Sequence, residues 1–304
     1  MQVTVASAQG VGTANEDGVL VSPAGVVVLD GLSAPGGLPM GCSHGTPWYV
    51  RQLGTHLINL IGDETMPLVD ALRSAIEKVN ALHHETCDLE QEAVPASTVV
   101  MVRKRTDTDA LDYLVLSDSV LVLDLGDGQI ETVTDKRVEE VAHDQMQAAL
   151  QGPTGTSDHA ARVADLVATQ RRLRNRPGGY WVVSTDPTAA EHAITGTVAL
   201  SHVQRAALLT DGASRLVDAF SAMTWSQLLD LLETEGPAAL IARTREAEES
   251  DPNGCQWPRF KASDDATAAF VQFRSPLVGS PGPQDCSVPI KETTLREEPS
   301  VSRG

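Results

Sequence analysis

The residues of this sequence best suited to chemistry are aspartates at the ends of strand-like runs. Asp17 precedes an apolar run at residues 19–21, and Asp30 follows another at residues 26–29. β-Branched residues favour strands, and the Pro and Gly between the two runs mark a tight turn. In an antiparallel pair the start of one strand lies beside the end of the other, so we expect Asp17 and Asp30 to meet at one sheet edge. Two neighbouring carboxylates repel each other unless a cation or a proton lies between them, and such oxygen ligands suit Mg²⁺ or Mn²⁺.

The same arrangement recurs at three other places in the chain. Asp118, Asp211 and the pair Asp264-Asp265 each adjoin a strand-like run. A single aspartate at a strand end is ordinary turn chemistry. Several of them at sheet edges indicate one metal site built from distant parts of the chain. The alternative is a set of acidic turns that bind Ca²⁺ or nothing, although the sequence contains no EF-hand calcium loop.

The bulk properties are those of a globular protein with an acidic surface. The 304 residues carry a net charge of −18, and 41% of them are hydrophobic. Nucleic-acid binders need a basic face, so this class of protein is disfavoured. No apolar run reaches the roughly 20 residues that span a bilayer, and residues 1–4 do not begin a signal peptide. We therefore expect a cytoplasmic protein with no membrane partner.

The cysteines and histidines give no clear motif. The four cysteines are scattered without a CxxC pair, which indicates neither a zinc site nor a disulfide framework. They are Cys42, Cys87, Cys255 and Cys286. His44 follows a glycine-rich loop and could donate a proton to a leaving group, but a surface histidine is the more ordinary interpretation. His83 lies near a helix end, and we assign it no function.

The elements that position these residues follow from hydrophobic periodicity and turn residues. Helices are predicted to begin at Pro47 and Pro67, within residues 138–176, and at residues 225–232 and 237–249. Further strands are predicted at residues 97–102, 111–116, 120–124 and 129–134, as an antiparallel meander, and at residues 180–184, 206–209 and 266–273. This pattern favours an α+β fold with two antiparallel sheets packed face to face and helix pairs outside. Residues 274–304 are predicted to form a disordered, Pro/Ser-rich tail to a single domain at 1–273.

The order of the acidic motifs resembles that of the metal-dependent Ser/Thr protein phosphatases of the type 2C (PPM) family, in its bacterial form. The matching motifs are Asn15-Glu16-Asp17, Asp30-Gly31, Ser97-Thr98, Asp118-Ser119, Thr210-Asp211-Gly212 with Asp218, and Asp264-Asp265-Ala266-Thr267. Each motif is short, but the ordered set is specific. The family fold is a four-layer sandwich of two antiparallel sheets flanked by helix pairs, which agrees with the elements predicted above.

The resemblance implies two Mg²⁺ or Mn²⁺ ions bridged by an aspartate and by a hydroxide that attacks the phosphoryl group. Asp30 corresponds to the bridging aspartate, and Gly31 offers its backbone carbonyl. The other metal ligands implied, direct or through water, are Asp17, Asp211, Asp264 and Glu16. Asp118 would share a third, weaker ion with Asp211. On this basis the catalytic residues are Asp30, Asp17 and Asp211.

The residues that bind substrate phosphate in the family are missing. Gly12 stands where an Arg usually binds that phosphate, and Val120 stands where a second Arg usually follows the Asp-Ser motif. Leu32 replaces a His that is proposed as general acid in many eukaryotic members. We predict that the arginine cluster at the position of the family's variable flap supplies the missing positive charge. Its members are Arg171, Arg172, Arg174 and Arg176. A solvated helix face is the alternative.

The sequence therefore predicts a metal-dependent hydrolase that removes phosphate from phosphoserine and phosphothreonine in proteins. Its partners would be phosphoproteins, namely a Ser/Thr kinase or the targets of one, in a signalling role. The alternative is a catalytically weak pseudophosphatase that binds or regulates phosphoproteins. The loss of an Arg at Gly12 favours this alternative, whereas the retained acidic ligands disfavour it.

Overall fold

The computed structural model describes residues 1–32, 41–91 and 93–273, and in these residues ten strands form two sheets. The strands are β1 (Gln2–Ala8), β2 (Gly18–Val21), β3 (Gly25–Leu32), β4 (Ala96–Arg105), β5 (Ala110–Leu116), β6 (Val120–Asp124), β7 (Ile130–Val133), β8 (Ile194–Ala199), β9 (Arg205–Leu209) and β10 (Ala266–Gln272). One sheet has the order β1-β10-β9-β6-β7, and the other has the order β2-β3-β4-β5-β8. All neighbouring strands are antiparallel.

Eight α-helices accompany the sheets in the described residues. They are α1 (Thr46–Leu60), α2 (Leu68–His83), α3 (Arg137–Val141), α4 (His143–Ala149), α5 (Ser157–Leu173), α6 (Asp211–Asp218), α7 (Trp225–Thr234) and α8 (Pro237–Ser250). Proline lies in the first turn of α1 and of α8, where its missing N–H leaves no helical bond unmade. The Thr224 and Gln227 side chains form a capping box at the start of α7. Among the described residues no helix is long and apolar enough to cross a membrane.

The layers follow from the alternation of side chains along each strand. Val26 and Val28 of β3 face the other sheet and pack with residues such as Leu208 in an inner core. Val27 and Leu29 of the same strand point the other way and pack against α1 and α2. The other sheet packs its outer face against α6, α7 and α8. The predicted α+β sandwich with helices on both outer faces is therefore confirmed.

The predicted meander is wrong at its centre. β5 and β6 belong to different sheets, so residues 117–119 form a corner between the sheets and not a hairpin turn. Ser117 adopts a positive φ of 70°, and its carbonyl accepts a hydrogen bond from the Asp135 N–H at 3.1 Å. This conformation redirects the chain, and it carries Asp118 at the corner.

Three smaller differences concern local elements. Residues 180–184 form two isolated bridges, Ser97 with Val183 and Arg174 with Tyr180, and not a strand. β8 was not predicted because it is a largely exposed edge strand with no clean hydrophobic alternation. α6 was not predicted because it is only eight residues long and begins in an Asp-Gly pair that is typical of a turn. The tail predicted at residues 274–304 lies outside the described residues.

Candidate metal centre

The register of β2 and β3 places Asp17 beside Asp30. Gly18 pairs with Leu29. Asp17, which precedes β2, therefore lies beside Asp30, the residue after Leu29, at the sheet edge. The start of β2 is held in place because the Asp17 N–H donates to the Asn15 side chain at 3.0 Å. A Cβ on Gly31 would overlap the Glu16 carbonyl, so only glycine permits this close approach.

A second pair of strands brings Asp211 and Asp264 to the same region. β9 and β10 are antiparallel neighbours, and Asp211 follows the first as Asp264 precedes the second. Thr210 and Thr267 tie the two ends together, because the Thr210 N–H donates to the Thr267 carbonyl at 3.0 Å. The Thr267 N–H donates back to the Thr210 Oγ1 at 2.9 Å.

Asp118 reaches the region from the corner between the sheets. Its Oδ1 accepts a hydrogen bond from the Ser117 hydroxyl at 3.2 Å. Asp211 is close enough for its negative charge, after burial, to raise the pKa of the Asp118 carboxyl group. The structure thus brings together five predicted carboxylates from five separate segments of the chain. They are Asp17, Asp30, Asp118, Asp211 and Asp264.

Burial, reinforced by repulsion between neighbouring carboxylates, raises the pKa values of Asp17, Asp30, Asp118 and Asp211. Burial, opposed by two threonine hydroxyls and reinforced by the charge of Asp211, raises the pKa of Asp17 to about 8. Burial and then Asp211 raise the pKa of Asp118 to about 7. Burial, Asp211 and Asp17 raise the pKa of Asp30 well above its usual range. Such a cluster needs either protons or cations to be stable.

One oxygen atom of the cluster indicates that the cluster binds cations and not only protons. Asp17 Oδ2 accepts a hydrogen bond from the Thr210 hydroxyl at 2.9 Å, whereas Asp17 Oδ1 is buried without a partner among the described residues. Buried carboxylate oxygens are normally satisfied, so this oxygen fits a metal ligand. A donor set made only of oxygen atoms suits Mg²⁺ or Mn²⁺.

The spacing of the carboxylates is wider than that of ligands around one ion. Among the described residues, only a group of cysteines and histidines brings three or more candidate ligand atoms within 4.8 Å of one another. Ligands divided between two ions, some of them through water, have the wider spacing.

Asp264 differs from the other four because cations already engage both of its oxygens. Lys261 Nζ donates to Oδ1 at 2.7 Å, and an Arg215 guanidinium nitrogen donates to Oδ2 at 3.1 Å. Arg215 is fixed in turn by Glu248 at 2.7 Å. Burial disfavours the charged Lys261, but Asp264, Asp211 and Asp30 raise the pKa of this lysine. Lys261 therefore lies beside the carboxylate cluster.

Sequence reasoning missed both of these cations. Lys261 lies in the loop before β10, and Arg215 follows the Asp-Gly motif within the unpredicted helix α6. The only signal was spacing, since Lys261 precedes Asp264 by three residues and Arg215 follows Asp211 by four. A lysine and an arginine at such distances are common beside any acidic residue.

Glu16 and Asp265 contribute to the frame of the site. Asp265 accepts hydrogen bonds from the Gly10 N–H at 2.8 Å and from the Glu16 N–H at 2.7 Å. This carboxylate therefore ties residues 10–16 to the start of β10. Glu16 is half-buried, and its carbonyl lies against Gly31. Its backbone is thus positioned at the edge of the carboxylate cluster.

The arginine cluster lies at the end of α5, on a different segment. Arg171 and Arg172 are in the last turn of the helix, and Arg174 ends it. The pKa of Arg171 is lowered by burial and by Arg174. None of these three arginines forms an ion pair with a described residue, so their charges are not neutralised there. The segment is anchored near the site because Val183 pairs with Ser97, which in turn pairs with Gly31.

The structure also shows where the residues lie that differ from the family pattern, together with His44. Gly12 is exposed in the loop before β2. Leu32 is half-buried in an apolar cluster with Ala96 and Tyr180, and its hydrocarbon side chain has no proton to donate. His44 is exposed, as the surface interpretation expects.

No protein-family model matches the sequence, and no curated protein matches it. Several solved structures are similar. One is the catalytic domain of the Ser/Thr protein phosphatase PstP in complex with two manganese ions, with 17% identity, a TM-score of 0.53, and coverage of 89% of this chain and 97% of that one. The PPM Ser/Thr phosphatase MsPP of Mycobacterium smegmatis has 17% identity, a TM-score of 0.53, and coverage of 90% and 98%. The Ser/Thr phosphatase Stp1 of Staphylococcus aureus has 15% identity, a TM-score of 0.55, and coverage of 90% and 95%. This chain therefore has the fold of the PPM-type Ser/Thr phosphatases.

Proposed function

We propose that the protein is a metal-dependent phosphatase that hydrolyses phosphoserine and phosphothreonine in proteins. The observation that carries this proposal is the convergence of five mutually repelling carboxylates, with a buried Asp17 oxygen that has no partner among the described residues. The similarity of the fold to phosphatases, one of them with two manganese ions, supports it.

Asp17, Asp30, Asp211 and Asp264 would hold two Mn²⁺ or Mg²⁺ ions, with the Gly31 carbonyl and Glu16 contributing at the edge. Asp118 and Asp211 would hold a third ion. When bound, such ions lower the pKa of water and stabilise the charge that develops on a phosphoryl group. The carboxylates would hold the ions next to the strand ends of both sheets. Thr210 holds Asp17 in the orientation that leaves its second oxygen open.

A phosphate group also needs a positive charge near the site, because the protein carries a net charge of −18. Two sources are available. Lys261 lies beside Asp264 with its side chain 56% exposed, and Arg171, Arg172 and Arg174 form no ion pair with a carboxylate among the described residues. We propose that the arginine cluster binds phosphopeptide substrates around the phosphorylated residue, and that Lys261 acts closer to the phosphate.

The substrates that we propose are phosphoproteins of the cytoplasm, either a Ser/Thr kinase or its targets. The test is the Mn²⁺-dependent hydrolysis of a phosphothreonine peptide by the full chain and by Asp30→Asn. We expect turnover that requires Mn²⁺ and falls at least about a hundredfold in the variant, since a residue acting on the metal-bound reaction contributes on that scale. Equal rates for both proteins would refute the proposal. No turnover by either, with retained phosphopeptide binding, would instead support the pseudophosphatase.

The role of the arginine cluster is tested separately. Replacing Arg171, Arg172, Arg174 and Arg176 by Gln should raise the KM for the phosphopeptide while the KM for p-nitrophenyl phosphate, which has no peptide, changes little. An unchanged KM for the phosphopeptide would show that the cluster is only a solvated helix face.

A further inference from the structure

Two cysteines and two histidines lie together outside the carboxylate cluster. The ligand atoms of Cys42, His44, His83 and Cys87 all lie within 4.8 Å of one another. Cys42 Sγ is 3.6 Å from His44 Nδ1 and 3.4 Å from His83 Nδ1. Cys87 Sγ is 3.3 Å from His44 Nδ1. The cysteine spacing did not signal this group, because the pattern is Cys-x-His on one segment and His-x₃-Cys on another.

These separations are those of ligands around one zinc ion. Zinc binds thiolate sulfur at about 2.3 Å and imidazole nitrogen at about 2.0–2.1 Å, which in a tetrahedron separates sulfur from nitrogen by about 3.5 Å. The three sulfur–nitrogen distances of this group lie on both sides of that value. Two sulfur and two nitrogen ligands favour Zn²⁺ over Mg²⁺, Mn²⁺ or Ca²⁺, which prefer oxygen.

The burial of His83 supports the presence of an ion. His83 is 1% exposed, so water cannot readily reach its ring nitrogens. The ring faces sulfur through Nδ1, and a thiol is a weak hydrogen-bonding partner. Buried polar side chains usually have a strong partner, and a metal ion at Nδ1 would be one. Trp48 stacks on His44 with ring centroids 4.3 Å apart and lies 5.0 Å from the His83 ring, so it shields one side of the group.

We propose that Cys42, His44, His83 and Cys87 form a structural site for one zinc ion, separate from the carboxylate centre. Four protein ligands leave no open position for substrate, which is typical of zinc that stabilises a fold. The site would join the segment before α1 to the end of α2. Hydrogen bonds already run between these regions, from the Gly41 N–H to the Ala93 carbonyl and from the Asp88 N–H to the Gly41 carbonyl, both at 2.8 Å.

The proposed zinc site lies next to the segment that supports the carboxylate cluster. The segment that contains Cys42 and His44 leads directly into α1, whose first residue, Thr46, is buried. A Cβ on Gly31 would lie 2.7 Å from the Thr46 side chain, so the start of α1 rests against that proposed metal ligand. Zinc would thus fix one wall of the carboxylate centre without taking part in its chemistry. The zinc proposal itself does not depend on the proposed phosphatase activity.

The test measures the metal content of the full chain, expressed in zinc-supplemented medium and dialysed in metal-free buffer. The measurement is made in the Asp30→Asn background, so that zinc bound by the carboxylate centre does not contribute. We expect about one zinc ion per chain, as for a closed four-ligand site. His44 is exposed, so His44→Ala should leave the fold intact, checked by circular dichroism, while zinc content falls at least severalfold. Cys255, which is exposed and distant in sequence, provides the matched control Cys255→Ser, which should keep its zinc.

Cobalt replaces zinc in the same preparation to identify the ligands. A thiolate-to-cobalt charge-transfer band is expected in the parent protein and should be lost in Cys87→Ser. Three results would overturn the proposal. These are no zinc in any preparation, equal zinc in His44→Ala and Cys255→Ser, or a fresh protein whose mass shows Cys42 and Cys87 joined as a disulfide. Loss of phosphatase activity alone would bear on the first site only.

Discussion

Asp264 pairs with two cations, Arg215 and Lys261, which differ in how firmly they are held. Arg215 is 9% exposed and is held by Glu248, whereas the Lys261 side chain is 56% exposed. The lysine can therefore leave Asp264 more easily than the arginine can. A metal ion at Asp264 would compete with Lys261 for Oδ1 and would release the ammonium group towards a phosphate.

The prediction at this scale concerns Lys261→Met, which keeps most of the side-chain volume and removes the charge. We expect the KM for a phosphothreonine peptide to rise by about ten- to a hundredfold, because a hydrogen bond to a charged group contributes about 1.5–3 kcal/mol. Steady-state kinetics at saturating Mn²⁺ measure the change. Lys78→Met, on the exposed face of α2, is the control and should behave as the parent protein. An unchanged KM for Lys261→Met would assign the phosphate contact elsewhere.

At the scale of elements, the site is formed by strand ends that approach closely. A Cβ on Gly212 would overlap the Asp265 carbonyl, so the first turn of α6 lies directly against the start of β10. This contact brings Asp211 beside Asp264. The sequence predicted both β9 and β10 but not their contact, because a glycine required for close approach looks the same as a glycine in a turn.

Gly212→Ala should therefore weaken both the fold and the metal centre. We expect the free energy of unfolding in urea to fall by about 1–3 kcal/mol, the usual penalty of overpacking, and Mn²⁺ affinity to fall with it. Gly62→Ala is the control, since a Cβ there meets only an atom 3.7 Å away and the backbone has no positive φ. A glycine replaced without strain gains about 0.4–1 kcal/mol. Equal stability of the two variants would contradict the packing described.

Arg103 connects two elements through a buried ion pair. It is 2% exposed, and it pairs with Asp112 at 2.8 Å. It also donates to the Asp63 carbonyl at 2.9 Å and to the Met66 carbonyl at 2.7 Å, which fixes the link between α1 and α2 to β4. This role was not predictable, because Arg103 begins a basic run that is typical of a solvated loop.

Arg103→Met should lower the free energy of unfolding by about 3–5 kcal/mol, because it leaves Asp112 as a buried charge with a weaker partner. Arg105→Met removes a surface pair with Asp107 and a longer contact with Asp112 at 4.0 Å. The Arg105 and Asp107 side chains are 28% and 52% exposed. That change should remain within about 1 kcal/mol. Urea unfolding of both variants measures the difference, and a loss from Arg103→Met no larger than that from Arg105→Met would be the contrary result.

At the scale of the whole molecule, the two sheets place five distant carboxylates at one edge. Periodicity predicted most of the strands and both outer helix pairs, and the order of short acidic motifs indicated which aspartates meet. The change of sheet at Ser117 was not predictable, because three polar residues between two strands look like a hairpin. The Cys/His group was missed because its two halves, at Cys42 and His83, lie 41 residues apart and come together only in the packed fold.

The same convergence makes a prediction about the metal-free protein. Asp30 is buried among other acids, and Asn has nearly the same shape without a charge. Thermal unfolding followed by circular dichroism should show that metal-free Asp30→Asn is at least as stable as the parent protein. Added Mn²⁺ should raise the melting temperature of the parent and leave that of the variant almost unchanged. A clear destabilisation of the metal-free variant would mean that Asp30 has a structural partner.

The measurement that tests the central claim most directly is a calorimetric titration of the full chain with Mn²⁺, compared with Asp30→Asn. We expect about two ions per chain for the parent, as in a dinuclear centre, and almost none for the variant. No binding of Mn²⁺ by the parent, or the same number of ions in both proteins, would contradict it.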